Sequence, residues 1–424
     1  MSVPPGAPSP RAVPPGAPSP RAVPPGALAG IRVVDLTTVL MGPLATRMLA
    51  DHGADVVRLE ALAPQSSRHS PPSRNPGMNG FSLNLQRNKR SIALDLKHPD
   101  GAAAAADLAA GADVLVTNMR RSALERLGLD AETLRARQPS LIHCTANGFA
   151  SGGPYSDRAA YDDVIQASSG LVNLFERVDG TPRLMPSVIA DKICGITITQ
   201  AVLAAVIHRL RTGEGQSIEV PMFETMVAFN LVEHHRGHTF EPPIGDIGYV
   251  RLLNPHRRPY EAADGWICLL PYTDRDFKHF FRFVGRPDLA DDPRFSSHSN
   301  RLEHIQELYG FIGEVAGDHT VDEWLSFMEE QSIPASPVMD LGEIHDDPQV
   351  VATGLMPLAE HPTEGAYRQV NDSVSYDVSP TAIRSHAPRL GQHTREILGE
   401  LGWHQERIDE LLAAGGAAER EQDT

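Results

Sequence analysis

Cysteine is scarce in this chain of 424 residues, and its scarcity excludes two classes of structure. The three cysteines are Cys144, Cys194 and Cys268, and none of them belongs to a CxxC pair. The sequence therefore predicts neither a disulfide framework nor a cysteine zinc site. The N-terminus also lacks the apolar core of a signal peptide. Together these absences predict a cytoplasmic protein.

Positive charge is scarce too, since 38 Lys and Arg residues stand against 54 Asp and Glu residues, for a formal net charge of −16. An acidic chain is repelled by nucleic-acid phosphates and by anionic lipid. We find no apolar run that approaches the roughly 18 residues of a membrane-spanning helix. We therefore expect no nucleic-acid partner and no membrane partner. Any anionic ligand must be held by local positive charge or by backbone N–H groups.

Motifs that would identify common cofactors are missing. The chain has no GxGxxG fingerprint, no Gly-Lys pair for a Walker A loop and no HExxH. Residues 148–152 read GFASG, in which the serine stands one place too late for a GxSxG nucleophile elbow. His234, His235 and His238 cluster in EHHRGH, so a metal site there is an open alternative. Our prediction is that the chain has no metal site.

The chain begins with a repeat, in which residues 13–22 copy the letters VPPGAPSPRA of residues 3–12 and a third copy starts at residue 23. Proline cannot donate a backbone hydrogen bond and glycine is costly to order. The sequence therefore predicts a disordered or polyproline II tail over residues 1–27. A proline-rich recognition ligand is the alternative.

After the tail, short apolar runs rich in β-branched residues alternate with helix-like stretches. This alternation predicts an α/β fold with a parallel sheet covered by helices. The predicted strands are 31–36, 56–59, 112–117, 141–145 and 266–270. Near residue 226 the texture changes to segments rich in His, Arg and Pro, which indicates a second, smaller domain.

Residues 191–211 are predicted to form a long helix that Gly213 ends. Its predicted buried stripe follows the i+3/i+4 spacing of Ile193, Ile196, Gln200, Leu203 and Ile207. Asp191 stands at the predicted start, where the helix dipole and free N–H groups favour an anion. We therefore expect its carboxyl group to be ionised at neutral pH. A simple helix N-cap, a preferred role for Asp, stays open as the alternative.

Six blocks in order resemble the class III CoA-transferases (CaiB/BaiF type), the family of formyl-CoA and carnitine CoA-transferases and of the related alpha-methylacyl-CoA racemases. The blocks are residues 28–60, 88–101 (NKRSIALDLKHPDG), 112–128, 148–170, 189–195 (IADKICG) and 390–399. The resemblance implies a Rossmann-like large domain with a parallel sheet formed by both chain ends, a smaller α+β domain, and an interlocked homodimer. It implies this division: a large CoA-binding domain over 28–225, a small domain over 226–355, and a C-terminal return to the large domain over 356–424.

The resemblance also implies the chemistry, because Asp191 matches the catalytic aspartate of the family. That residue carries CoA as an aspartyl thioester between two acids, with coenzyme A as a substrate and no cofactor. The implied partners are an acyl-CoA and a free, small organic acid. The implied CoA contacts are Val39, Leu40, Leu85, Asn88, Asn118, Arg120, Arg126, Asn147 and Gly148.

Two other functions stay open. A 2-methylacyl-CoA racemase or epimerase needs a histidine base where this chain has Tyr161, before Asp162 and Asp163. A phenol, with an ordinary pKa of about 10, is a poor base at neutral pH, so the transferase is favoured. The second alternative is a non-catalytic acyl-CoA-binding protein. The segment 161–163 could equally be a helix start without a catalytic part.

Arginines in the predicted small domain suggest an acceptor with two carboxylates. Arg251, Arg257 and Arg258 lie close together in the sequence, and arginine binds carboxylate with a bidentate fork. The alternative for these three residues is a basic surface between domains or subunits. The resemblance also makes formyl-CoA and oxalate poor candidates, because the chain lacks the glycine-rich loop of that branch.

Overall fold

The structure is a computed structural model that describes residues 25–63 and 66–419. The tail predicted for residues 1–27 lies almost wholly outside the described residues. The strands are β1 (Arg32–Leu36), β2 (Asp55–Glu60), β3 (Lys89–Leu94), β4 (Val114–Thr117), β5 (Ile142–Asn147), β6 (Ser217–Pro221), β7 (Tyr260–Glu261), β8 (Trp266–Leu269), β9 (Ala335–Pro337), β10 (Leu358–His361), β11 (Gly365–Arg368) and β12 (Ala417–Ala418).

Helices connect most of these strands. Those in the first half of the chain are α1 (Met41–Asp51), α2 (Ser66–His69), α3 (Gly80–Leu85), α4 (Pro99–Ala110), α5 (Arg121–Leu127), α6 (Ala131–Arg137), α7 (Asp162–Ser168), α8 (Leu171–Asp179) and α9 (Ile189–Thr212). Those in the second half are α10 (Met222–His234), α11 (Asp274–Phe283), α12 (His298–Glu303), α13 (Ile305–Val315), α14 (Val321–Glu330), α15 (Pro348–Thr353), α16 (Thr394–Glu400) and α17 (Gln405–Ala413).

One large sheet dominates the fold, with strand order β12-β3-β2-β1-β4-β5-β6. All its pairs are parallel except β12 with β3, which is antiparallel. Parallel strands must be joined by a crossover, which is usually a helix. The crossover helices cover both faces of the sheet. Because β12 comes from the end of the chain, both ends contribute to this sheet. The α/β class with a parallel-dominated sheet is confirmed.

Each face of the large sheet has its own apolar core. On one face α1, α7 and α9 pack over side chains such as Val33, Val116 and Cys144. On the other face α4, α6, α16 and α17 pack over Val34, Leu115 and their neighbours. Successive side chains of a strand point to opposite faces, and so adjacent residues of β1 and β4 divide between the two cores.

A third core lies within residues 260–333 and is rich in aromatic side chains. It is formed by the antiparallel sheet β7-β8-β9 and helices α11, α13 and α14. Trp324 lies at its centre, stacked on Phe280 with ring centroids 5.7 Å apart. Helix α10 runs across residue 226, where the sequence predicts a domain boundary, and the division into domains stays a prediction.

The strands predicted from the sequence are confirmed, with ends that differ by one or two residues. Strands β3, β6 and β12 of the large sheet were not predicted from the sequence. Strand β3 begins with Lys89 and Arg90, and β6 exposes two of its five residues, so neither has the apolar run on which the prediction depended. Strand β12 has only two alanines, and it forms because β3 is already there to pair with.

The long helix α9 is confirmed, but the stripe predicted to be buried is wrong. Ile196 and Ile207 are about half exposed, and Gln200 is exposed. The buried face carries mostly smaller side chains, namely Ala190, Asp191, Cys194, Gly195, Ile198, Thr199, Val202, Ala205 and Val206. Gly195 explains the choice, because a Cβ there would lie 2.9 Å from the Met41 carbonyl oxygen. Close packing against α1 therefore selects the face with small residues.

The expectation that no apolar run is long enough to span a membrane is also wrong. Helix α9 has 24 residues, and an 18-residue window within it has a mean hydropathy of 1.6, which is enough by length and composition alone. The core helix of a water-soluble protein passes the same test, and α9 packs on α1, α7, α10 and the sheet. One side of α9 is apolar because it packs in this way. The other side carries exposed isoleucine and leucine side chains, which add to the mean hydropathy.

Candidate active site

A cavity of about 670 Å³ lies at the carboxyl ends of β1, β4, β5 and β6. Ligands of open α/β sheets usually bind at this edge, where the loops that follow the strands come together. The residues that line it are Thr38, Val39, Met41, Asn118, Arg120, Arg121, Ser122, Ala146, Asn147, Gly148, Phe149, Ser151, Gly152, Ser156, Asp157, Arg158, Ala159, Ala160, Tyr161, Asp191 and Met222.

Helix α9 contributes one acidic residue, Asp191, to the lining of this cavity. It is the third residue of the helix, and its side chain does not cap it, since the N-cap position belongs to Val188. The N-cap interpretation is therefore wrong. Asp191 is only 8% exposed, and the atoms it does expose face the cavity. Its carboxyl oxygens accept no hydrogen bond from the residues that the structure describes, and a buried carboxyl group of this kind in a cleft is a candidate for chemistry.

The expectation that Asp191 is ionised at neutral pH needs correction. Burial, and then the negative charge of Asp162, raises the pKa of Asp191 to about 7. The protonated and ionised forms are therefore both populated near neutrality. The favourable field of the helix N-terminus is outweighed because removing a carboxylate from water costs more than a helix dipole returns.

Asp162 and Gln166 fix the entrance to α9. Asp162 Oδ1 accepts the backbone N–H of Asp191 at 2.9 Å, and its Oδ2 accepts Gln166 Nε2 at 2.6 Å. Gln166 Nε2 also donates to the Ser187 carbonyl oxygen at 3.1 Å, and its Oε1 accepts the Met185 N–H at 2.9 Å. The segment that leads into α9 is thus tied to α7, which begins at Asp162 as the helix-start interpretation predicted.

The loop between β1 and α1 forms another part of the wall in an unusual conformation. Val39 has a φ of 66°, in the left-handed region that a β-branched residue rarely adopts. Asn118, just after β4, holds the loop, because its Oδ1 accepts the Thr38 N–H at 3.0 Å and its Nδ2 donates to the Thr38 carbonyl at 3.1 Å. Asp35 Oδ1 accepts the Thr37 N–H at 3.1 Å from the other side. Such strain persists only where surrounding contacts over-determine it.

Five of the nine predicted CoA contacts line the same cavity as Asp191. They are Val39, Asn118, Arg120, Asn147 and Gly148. Gly148 is required there, since a Cβ would lie 2.4 Å from the Ala160 Cβ of the opposite loop.

The other four predicted contacts do not line the cavity. Leu40 is buried directly before α1, Leu85 is buried at the end of α3, and Arg126 is exposed on α5. Asn88 lies near the C-terminal segment, where its Nδ2 donates to Asp51 Oδ1 and to the Ala382 carbonyl, both at 2.7 Å. Its Oδ1 accepts the Ser385 N–H at 2.9 Å, so this amide is committed to contacts within the chain.

Arg121 and Arg158, which were not predicted from the sequence, line the cavity together with Arg120. Arg158 lies over the Tyr155 ring, with 3.8 Å from its guanidinium carbon to the ring centroid, a cation–π contact that orients it. The signal was available for Arg158, because it belongs to the same block as Gly148 and Tyr161. Three arginines give this wall of an acidic protein a local positive charge.

The cavity lining does not include the histidines and arginines that the sequence analysis singled out from the end of α10 onward, namely His234, His235, His238, Arg251, Arg257 and Arg258. Arg251 donates from Nε to the Tyr309 hydroxyl at 2.8 Å, and His234 Nδ1 accepts the Tyr249 N–H at 3.1 Å. Within residues 25–63 and 66–419, no three His, Cys, Asp or Glu side chains are grouped to hold a metal ion.

Comparison with known proteins identifies the family. Residues 28–394 match the family model of CoA-transferase family III. The chain is 34% identical over 388 residues to a succinate–glutarate CoA-transferase of Agrobacterium fabrum, a match that covers 88% of this chain and 95% of the relative. It is 31% identical over 410 residues to a formyl-CoA:oxalate CoA-transferase of Streptomyces avermitilis, covering 92% of this chain and 99% of that one.

A solved structure agrees with the sequence relatives. The fold matches a crystal structure of a CaiB/BaiF family protein from Brucella suis with a TM-score of 0.75 and 27% identity. That match covers 89% of this chain and all of the other. Since the family model and the relatives both extend over most of the sequence, the chain belongs to CoA-transferase family III and is a class III CoA-transferase.

Proposed function

We propose that this enzyme moves CoA from an acyl-CoA donor to a small organic acid, and that Asp191 is the nucleophile. The observation that carries the proposal is the shared cavity, in which a buried carboxyl group lies with three arginines at the carboxyl edge of the sheet. A nucleophile needs an environment that makes its reaction favourable, and CoA phosphates need positive charge within reach.

The proposed reaction has two reversible halves. An oxygen of the ionised Asp191 attacks the thioester carbonyl carbon of the donor, the C–S bond breaks, and CoA leaves as the thiolate. The thiolate then attacks the aspartyl carbonyl of the mixed anhydride, which releases the donor acid as a carboxylate and leaves CoA on Asp191. An acceptor carboxylate and CoA run the same steps in reverse. Dividing one exchange into covalent steps lowers each barrier.

CoA would be held by the arginines that line the same cavity as Asp191. We propose that Arg120, Arg121 and Arg158 attract its phosphates, while Val39 and Gly148 allow close approach of the backbone. Arginine pairs with phosphate through two parallel hydrogen bonds, which supports this assignment. Leu40, Leu85, Asn88 and Arg126 receive no support from the lining of the cavity.

The proposed acceptor is a dicarboxylic acid. The relative from Agrobacterium fabrum is named for succinate and glutarate, which each carry two carboxylates. Arg251, Arg257 and Arg258 are the proposed clamp for the second carboxylate, although they do not line this cavity in the single chain. Oxalate, a shorter dicarboxylic acid, is the competing candidate, because another relative is named for formyl-CoA and oxalate.

We also propose an interlocked homodimer that works in the cytoplasm, without a cofactor, nucleic acid or membrane. Large apolar side chains exposed on α9 and α10 support the dimer, among them Ile207, Leu210, Phe229 and Val232. Large apolar side chains exposed on two neighbouring helices are typical of interaction sites. The division into a large domain and a smaller domain over 226–355 belongs to the same proposal.

The deciding experiment is incubation with succinyl-CoA and a panel of free acids, followed by mass spectrometry of the new CoA esters. Hydroxylamine added during turnover should convert the Asp191 thioester to a hydroxamate that peptide mapping locates. Exchange of the α-proton of a 2-methylacyl-CoA in deuterated water, without CoA transfer, would support the racemase instead. Binding of acyl-CoA without either reaction would support the non-catalytic alternative.

Asn118→Ala should raise the KM for acyl-CoA about tenfold, because the loop at Val39 loses both hydrogen bonds that hold its strained conformation, worth about 1–3 kcal/mol. Steady-state kinetics at varied acyl-CoA measure the change. The double variant Asn118→Ala with Val39→Gly should recover much of the loss, since glycine adopts positive φ without strain. If the second change brings no recovery, Asn118 acts by direct contact with CoA and not by holding the loop.

A further inference from the structure

A second buried carboxyl group lies beside Asp191 and has no part in the reaction described above. Asp162 is 6% exposed, and its two oxygens bind the Asp191 N–H and the Gln166 side chain. Neither partner is a cation, and no salt bridge pairs Asp162 within the described part of the chain. A buried carboxylate normally has a positive partner, so its place here calls for a function.

The other charged or titratable groups around Asp191 are less directly coupled to it. Cys194 is on the same helix, and the Cys194 thiol has its pKa raised to about 12 by burial and by Asp191, so it stays neutral. Lys192 points to the Ser187 hydroxyl at 2.9 Å. The remaining charged or titratable groups on the cavity wall or directly beside it are Tyr161, Glu219, Glu224, Arg120, Arg121, Asp157 and Arg158.

Two of those acidic groups are bound elsewhere. Glu219 accepts hydrogen bonds from Asn147 and from the Ser151 N–H, and Glu224 accepts the Ala150 N–H. Asp162 is therefore the acidic side chain that touches the Asp191 residue itself. Its negative charge acts on Asp191 in a region from which water is largely excluded, where like charges repel more strongly than in water.

Resting on the proposed function, we propose that Asp162 is a positioning residue that holds the Asp191 backbone and uses its negative charge to drive acylation of Asp191. Before reaction, two carboxylates repel each other. When Asp191 attacks the thioester carbonyl, the C–S bond breaks and the negative charge leaves with the CoA sulfur. Asp191 is then neutral, as an anhydride and afterwards as a thioester, and the repulsion from Asp162 is gone.

The energetic consequence follows from where the charge is at each stage. The repulsion destabilises the free Asp191 carboxylate and is absent once Asp191 is acylated. It therefore lowers the barrier to acylation. The raised pKa of Asp191, caused by burial and by Asp162, agrees with this geometry. The cost is that part of the enzyme is protonated, and inactive, near neutral pH.

The test is the variant Asp162→Asn, whose amide oxygen can still accept the Asp191 N–H but whose charge is removed. The pH dependence of kcat/KM for CoA transfer from succinyl-CoA should show, in the wild-type enzyme, activity that falls as pH drops through about 7. In the variant this midpoint should move down by about one unit, because the ionised form is no longer repelled.

The two pH profiles should also converge as the pH falls. Well above the wild-type midpoint, where Asp191 is ionised in both enzymes, the variant should be slower by about tenfold, which is the equivalent of one pKa unit. Below that midpoint the variant loses less of its activity, since more of its Asp191 stays ionised. A defect that is merely structural lowers the whole profile and leaves its midpoint in place.

Two controls separate charge from position. Asp163→Asn removes the same charge from the next, exposed residue and should leave the profile unchanged. Gln166→Leu removes the brace on Asp162 but keeps the charge, so activity should fall while the midpoint stays near 7. If Asp162→Asn does not fold, Asp162→Glu serves instead, and it should keep the wild-type midpoint at reduced kcat.

An unshifted midpoint in Asp162→Asn, or a shifted midpoint in Asp162→Glu, overturns the inference. The failure of the proposed function looks different, because then no hydroxamate forms on Asp191 in the wild-type enzyme at any pH. An adduct on Asp191 together with an unshifted midpoint therefore rejects the role of Asp162 alone.

Discussion

Asp191→Asn should lower kcat for CoA transfer by at least about 10⁴-fold, because losing a covalent nucleophile removes the reaction path and not only an interaction. Asparagine is close to aspartate in size, so the cavity keeps its shape and acyl-CoA should still bind. The measurement is single-turnover transfer from succinyl-CoA followed by mass spectrometry, with acyl-CoA binding measured separately by calorimetry.

The thermal stability of Asp191→Asn is a control whose direction of change can be predicted. The folded-state pKa of Asp191 is raised to about 7, so its ionised form destabilises the folded protein above that pH. The neutral amide removes this effect, and at mildly alkaline pH Asp191→Asn should unfold at the wild-type temperature or higher. Asp163→Asn provides the matched change at an exposed carboxylate and should retain full activity. Transfer at near wild-type rate by Asp191→Asn would falsify the assignment of the nucleophile.

Lys89→Met should lower the free energy of unfolding by about 3–5 kcal/mol, which is the usual cost of breaking a buried ion pair from one side. Lys89 and Asp35 are both essentially inaccessible to water. The Lys89 ammonium donates to Asp35 Oδ2 at 2.9 Å, to the Pro43 carbonyl at 2.9 Å and to Thr46 Oγ1 at 2.8 Å. Urea denaturation followed by circular dichroism measures the loss.

The reason for so large an effect is the charge that stays behind. Burial acts to raise the pKa of Asp35, but Lys89 and Arg58 hold it at about 2, so the carboxylate is ionised in the folded protein. Without Lys89, the cation that still faces it among the described residues is Arg58, at 3.5 Å, and the remaining donors to Asp35 are the neutral groups of Thr37 and Thr46. Lys97→Met makes the same substitution at an exposed lysine and should change stability by no more than about 0.5 kcal/mol.

The double variant Asp35→Asn with Lys89→Met tests that reasoning directly. Once the buried charge is neutralised as well, the combined loss should be smaller than the sum of the two single losses. Simple addition of the two would mean that Lys89 contributes by packing and not by pairing with Asp35. Because Asp35 also binds the Thr37 N–H, the same variants should weaken acyl-CoA binding through the loop at Val39.

Much of the site could be predicted because it follows strand ends. Val39, Asn118, Asn147 and Gly148 each lie at the end of a strand that the apolar pattern reveals or shortly after it, and parallel strands bring their carboxyl ends to one edge. Arg121 was missed since a helix position alone does not say which way a side chain faces. The sequence could not show that Asn88 lies outside the cavity, because its partners, Ala382 and Ser385, are almost 300 residues away in the sequence.

Helix α9 shows the limit of periodicity as a guide. Two apolar faces compete in its sequence, and hydrophobicity alone favours the one with isoleucines. Packing reverses the choice, because only the face with Gly195 and Cys194 lets α1 approach closely enough. The spacing of apolar residues shows which side chains of a helix are hydrophobic. The surface of the neighbouring helix, here α1, decides which of those side chains become buried.

The sequence by itself determined the α/β class, the family and the identity of Asp191 as the candidate nucleophile, because ordered motifs and strand patterns are local properties. Only the tertiary structure decided the protonation of that residue. Asp162 lies 29 positions away along the chain, and it comes to bond the Asp191 N–H only when α7 packs against α9. The pKa of a buried acid depends on water excluded and charges nearby, and both are set by distances that exist only after folding.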